Sequence, residues 1–170
     1  DVAGVQLLAA FEHEFQLKGE RYLIGEAYGR AGFEVQRDLC EMLIRQIGYA
    51  GLTPDSIMKE FGPNQYEVVI GPETGVRAAD AAVFVRELTR STAWHYGERA
   101  TFCPILDPAS VGNGVHIHMS FLHPNGSPAT YDANEPSGMS STTSAFAAGV
   151  LKYLDSIIAL TAPSVISYQR

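Results

Sequence analysis

Apolar and polar residues alternate from Leu7 to Leu17, and this period of two predicts a β-strand. Phe11, His13, Phe15 and Leu17 fall on one face, and Glu12, Glu14 and Gln16 on the other. A face carrying two carboxylates is not hydrophobic core. Val115–Leu122 alternates in the same way, with His116, His118 and Ser120 on one face and Ile117, Met119 and Phe121 on the other. Gln65–Ile70 reads as a strand with Glu67 and Val69 on a common face. Two shorter strands are expected at Met58–Glu60, after a turn at Thr53-Pro54-Asp55, and at Arg99–Cys103.

Helical periodicity governs three other stretches. Over Phe33–Tyr49, Val35, Leu39, Met42, Leu43 and Ile47 form one stripe, with Arg37, Glu41 and Arg45 off it and Gly48 and Gly51 closing the helix. Val76–Tyr96 reads as a long helix burying Ala81, Phe84, Val85 and Leu88. Gly138–Leu160 ends in a helix expected to carry Phe146, Val150, Tyr153, Leu154 and Ile157 inward, with Pro163 after its end. Gly19–Gly32 reads as an irregular crossing, Asp107–Gly114 as a loop and Pro124-Asn125-Gly126 as a tight turn. Strands with one polar face and helices with one apolar stripe predict an α+β fold: a curved, largely antiparallel sheet backed by helices.

Bulk properties narrow the function. At 170 residues and 46% hydrophobic content the chain suits one domain with a real core. A net charge of −7 argues against a nucleic-acid partner, which needs clustered Lys and Arg. No apolar run is long enough to span a bilayer and no secretory signal is present, so the expected location is the cytoplasm. Cys40 and Cys103 lack metal spacing and read as buried thiols in a reducing compartment. His95 and His123 read as surface residues, and Trp94 as core or interface packing. Asp1 falls straight into an apolar run and Arg170 ends the chain without a closing element, as expected of a piece of a longer polypeptide.

The acidic and imidazole groups carry the chemistry. Glu12 and Glu14 share a strand face, Glu60 and Glu67 flank the Gly62-Pro63 turn, and His116 and His118 share a third segment. Carboxylates gathered together repel unless a cation or proton balances them. Oxygen ligands with an imidazole suit Mg or Mn employed in phosphate chemistry better than a structural zinc. Gly112-Asn113-Gly114, just before His116, would let backbone approach a ligand closely.

The order of these motifs points further. Glu-x-Glu at 12–14 comes first, then Glu60 to Glu67 within Gly-Pro-Asn-Gln-Tyr-Glu, then Ala100-Thr-Phe-Cys-Pro104. Gly112-Asn-Gly-Val-His-Ile-His-Met-Ser120 and Ser167-Tyr-Gln-Arg170 follow. Together they resemble the glutamine synthetase superfamily over nearly the whole chain. The resemblance implies residues 1–170 as a single domain, the N-terminal and central part of such a catalytic domain. It implies two or three Mg or Mn ions between ATP and glutamate, and amide formation with ammonia or an amine through a γ-glutamyl phosphate. By the same resemblance Glu14, Glu60 and Glu67 match the ligands of the cation nearest the amino acid. Glu12 and His116 match ligands on the phosphate side, His118 a residue touching the ATP phosphates, and Ser120 one near the base. Gly114 matches the substrate-loop glycine, and Arg170 the arginine that binds a glutamate carboxylate.

Three departures from the family pattern bear on specificity: Met58 stands for a histidine, Val111 for an asparagine, and Phe102-Cys-Pro-Ile-Leu106 lacks a lysine. They leave the amine open between ammonia and larger amines. Family members complete the site with later residues and with a neighbouring subunit in a homo-oligomeric ring, so these residues alone are expected to bind metal weakly without turnover. A non-catalytic structural or regulatory relative, and an unrelated two-metal hydrolase, are the rival readings.

Overall fold

The computed structural model describes residues 4–19 and 27–169. Strand β1 (Gln6–Lys18) is the axis of the sheet. After it come α1 (Arg30–Val35), α2 (Arg37–Tyr49), β2 (Pro54–Lys59), β3 (Gln65–Ile70), β4 (Glu73–Thr74) and α3 (Val76–His95). The chain continues through β5 (Arg99–Thr101), β6 (Val115–Leu122), α4 (Ser141–Lys152), α5 (Leu154–Thr161) and a 3₁₀ turn at Val165–Gln169. Six strands form one sheet in which every pairing is antiparallel. The fold is α+β, as the alternating strands and single-striped helices imply.

β1 pairs with β3 over Glu12–Gln16, with β5 over Gln16–Lys18 and with β6 over Gln6–His13. Its apolar face carries Phe15 and Leu17 into a core with Tyr66, Val68 and Ile70 of β3. Leu39, Cys40, Leu43 and Ile47 of α2, with Ala81, Val85 and Ala93 of α3, close that core. Burying each large apolar side chain there contributes about 1.5–3 kcal/mol. With one face committed, register is fixed, because a one-residue slip would bury Glu12 and Glu14.

Helix ends follow local chemistry. α2 closes with Gly51 at φ 77°, its N–H donating to the Gly48 carbonyl at 3.0 Å, and with the Leu52 N–H donating to Ile47 O at 3.2 Å. That is the paired bonding of a Schellman cap. α4 is capped at its start by Ser140, whose hydroxyl accepts the Thr143 N–H at 3.2 Å.

Several expectations are corrected. The single helix expected at Phe33–Tyr49 breaks at Gln36, which leaves helical geometry at φ −120°. Its buried amide instead donates to Glu98 Oε1 at 3.2 Å. The residues expected as a turn at 53–55 partly belong to β2, which begins at Pro54 and carries an irregularity between Pro54 and Ser56. The C-terminal helix is two helices bent by 78° at Tyr153. Neither buries a residue fully: Phe146, Tyr153 and Leu154 are exposed, and Val150 and Ile157 half-buried. Phe84 also faces solvent, because Ala78, Ala82, Thr89 and Thr92 complete the buried side of α3 in its place. Trp94 is exposed, which removes the core alternative and leaves the interface one. Cys103 is only half-buried. Among the described residues no single helix is long and apolar enough to cross a membrane.

Candidate metal centre on the acidic sheet face

Cross-strand register assembles the site. Glu14 of β1 stands directly opposite Glu67 of β3, and Glu12 directly opposite His116 of β6. Side chains opposite one another share a face at about 5 Å between Cβ atoms, and like charges so placed are destabilising. The apolar side of the same strand keeps His13 and Phe15 buried, which locks the two glutamates outward.

Glu12 gathers both imidazoles. One of its oxygens pairs with His116 Nδ1 at 3.0 Å and the other with His118 Nε2 at 2.9 Å. Single ligand atoms of Glu12, Glu67 and His116 lie within 4.8 Å of one another. Glu14 is held from the other flank: its Oε2 accepts the Gly114 N–H at 2.8 Å and Gln65 Nε2–H at 3.1 Å. Gly114 also accepts the Glu14 N–H at 3.1 Å, so the loop before β6 is zipped to β1.

Glu60 follows the end of β2 in a tight turn. Its N–H donates to Gln65 O at 2.8 Å, and its carboxylate accepts the Phe61 N–H at 3.3 Å and the Tyr28 hydroxyl at 3.4 Å. Lys59, 1% exposed, donates its ammonium to the carbonyls of Glu60 and Gly62. That buried cation props the turn from behind.

The electrostatics record the crowding. Burial, then the charges of Glu12, Glu60 and Glu14, push the Glu67 carboxyl up to about 7, with His116 opposing. Burial also raises Glu60, assisted by Glu14 and opposed chiefly by the Phe61 N–H. Four carboxylates thus act on one another with too little positive charge among them. Hard oxygen donors with one imidazole, among which Glu67 and Glu60 are held above the usual carboxylate range by burial first and neighbouring carboxylates after it, fit a divalent cation of the Mg or Mn type.

The structure therefore gathers Glu12, Glu67 and His116, sets Glu14 opposite Glu67, and leaves Glu60 within their field. His118 lies against Glu12. Ser120 sits opposite Leu8, on the same face and further along β6. Gly114 borders a cavity of about 420 Å3 that also touches Glu14, Asn113, Val115 and Ser167. Arg170 lies outside the described residues. Gln65, Lys59 and Tyr28 were not singled out by the sequence reading, and Asn113 entered it only as part of the Gly112-Asn113-Gly114 turn. Only the polar Gln65 inside an otherwise buried strand carried a signal that could have found one of them.

Comparison with known proteins follows from this geometry. The family model described as "Glutamine synthetase, catalytic domain" matches residues 2–170. The chain is 34% identical over 146 residues to the γ-glutamylpolyamine synthetase GlnA3 of Streptomyces coelicolor, covering 86% of this chain and 31% of that protein. It is 33% identical over 137 residues to the glutamine synthetase of Thermotoga maritima, covering 81% of this chain and 30% of that protein. A crystal structure of a novel glutamine synthase homolog superposes with a TM-score of 0.88 at 41% identity, over 96% of this chain and 38% of that one. The chain thus spans about a third of the length of each protein.

Proposed function

We propose that this chain, which belongs to the glutamine synthetase catalytic-domain family, is part of an ATP-dependent ligase that joins the γ-carboxylate of glutamate to ammonia or an amine. The carrying observation is the facing pair Glu14 and Glu67 beside the Glu12–Glu67–His116 cluster. A scaffold has no use for a destabilising arrangement of like charges, whereas a phosphoryl-transfer site needs it to gather cations. The relative named for γ-glutamylpolyamine synthesis supports an amine acceptor beyond ammonia.

In this reading residues 1–170 are a single domain, the N-terminal and central part of the catalytic domain. Glu14, Glu60 and Glu67 hold a cation on the amino-acid side, and Glu12 and His116 one on the phosphate side, with Glu67 close to both sets. Two or three Mg or Mn ions, when bound, neutralise phosphate charge and polarise the transferred group. His118 is aimed at the ATP phosphates and Ser120 toward the base. Gly114 borders the cavity that receives the glutamate, and Arg170 binds a glutamate carboxylate.

The reaction runs in two displacements. A γ-carboxylate oxygen attacks the terminal phosphorus and ADP leaves, giving γ-glutamyl phosphate. The amine nitrogen then attacks the acyl carbon, phosphate leaves, and the nitrogen loses a proton to yield the amide. The fold's part is to orient two anions that otherwise repel. We place the protein in the cytoplasm as a homo-oligomeric ring, with no nucleic-acid or membrane partner.

The test is a screen of the full-length protein with glutamate, ATP, Mg or Mn and a panel of amines, reading phosphate release and amide product. Amide formation that depends on both glutamate and one class of amine is expected. Phosphate release with no amide under any amine overturns the ligase reading.

A further inference from the structure

We propose that Gln65 is a positioning residue that fixes the distance between the cation-holding Glu14 and the loop at 112–114, an assignment that rests on the ligase reading above. Gln65 is 1% exposed, yet every polar atom of its side chain is engaged. Its Oε1 accepts the Gly62 N–H at 2.8 Å. Its Nε2 faces three acceptors: Glu14 Oε2 at 3.1 Å, Gly112 O at 3.0 Å and Asn113 Oδ1 at 3.0 Å. The neighbours fix the amide orientation, since the only donor lies at one end and the acceptors lie at the other.

One side chain therefore joins three segments far apart in sequence: the turn that carries Glu60, the strand that carries Glu14, and the loop that borders the cavity. Gly62 completes the fit. A Cβ there would stand 2.7 Å from Gln65 Oε1 and 3.2 Å from its Cβ and Cδ, so the turn closes on Gln65 only without a side chain. The turn is clamped from its other side by the Gln65 N–H on Gly62 O at 3.1 Å and by Lys59 on the same carbonyl at 2.7 Å. A ligand carboxylate anchored in this way loses freedom before the cation arrives, and removing such outer partners typically weakens metal affinity about 10- to 100-fold.

The experiment measures Mn2+ binding to the chain by the loss of free-ion electron paramagnetic resonance, in the parent, Gln65→Met and Gln65→Glu, with thermal midpoints alongside. Gln65→Met keeps the length without hydrogen bonds; Gln65→Glu keeps the acceptor for Gly62 but sets an anion against Glu14. Both variants are expected to bind about 10- to 100-fold more weakly than the parent while remaining folded. Parent and variants binding equally tightly overturns the inference alone. No Mn2+ binding by the parent overturns the ligase reading and this inference with it. If both variants unfold, the parent decides by itself: in a Mg2+ titration followed by nuclear magnetic resonance, the Gln65 side-chain amide is expected to shift with the same midpoint as the Gly114 backbone amide. A Gln65 signal unmoved at saturation contradicts the proposal.

Discussion

His116 Nδ1 lies 3.0 Å from Glu12 Oε2 although 104 residues separate the two in sequence. The antiparallel register of β1 and β6 alone brings them face to face. The same strand presents Glu14 to Glu67 across its other edge. Strand pairing thus does here what a short ligand motif does in a helix: it sets donor spacing by backbone hydrogen bonds.

Glu67→Gln is expected to stabilise the metal-free chain and to weaken its cation binding. At pH 8 the substitution relieves an ionised carboxylate that is buried and held among three others, worth on the order of 2 kcal/mol. Thermal unfolding in a chelator should therefore rise by several degrees. With excess Mn2+ the order should reverse, because only the parent gains strongly from binding: about 2.7 kcal/mol at one hundred times Kd.

Cation affinity should climb with pH. The Glu67 carboxyl titrates at about 7, above its usual 4.5, so in the ion-free chain it is protonated below neutrality and must lose that proton to bind. The sign for stability follows: its contribution is intact below 4.5 and is lost as pH rises through about 7. Calorimetric titrations in buffers of different ionisation heat should show proton release near pH 6 that fades near pH 8. A proton count independent of pH would contradict this.

His13 works in the opposite direction. Burial and then Arg86 lower it to about 4, with the Ala82 backbone opposing. Its contribution is present above its usual 6.5 and is lost as pH falls toward about 4. His13→Phe should flatten the acid side of the stability profile while leaving the profile above pH 7 unchanged, as read by thermal midpoints. An unchanged acid slope would show that another group governs it.

Lys59→Met should loosen the turn that carries Glu60. The substitution strips the carbonyls of Glu60 and Gly62 of a buried donor, a loss of about 1–3 kcal/mol, partly offset because burial holds the ammonium below its usual pKa. Faster amide exchange at Gln65 and Glu60 is expected in the variant. Unchanged exchange there would locate the lysine's role elsewhere.

Much of this was legible in the sequence, for a physical reason. The faces of β1, β3 and β6 follow from alternation, which constrains each side chain to one of two directions. The break at Gln36 was not legible, because it depends on Glu98, which meets it only in the fold. The outward turn of Phe84 and Phe146 was hidden because periodicity reports an apolar stripe, not what covers it. Gln65 looked like one polar residue in a strand, and its partners come from three separate segments. The motif order supplied the family, which the match over residues 2–170 bears out.

The central claim is that acidic and imidazole groups from three strands form one site that gathers divalent cations. Isothermal titration of Mn2+ into the chain, with Glu14→Ala and Glu67→Ala beside it, measures this directly. Binding by the parent that falls at least about tenfold in each variant is predicted. No binding, or binding equal in all three, would contradict it.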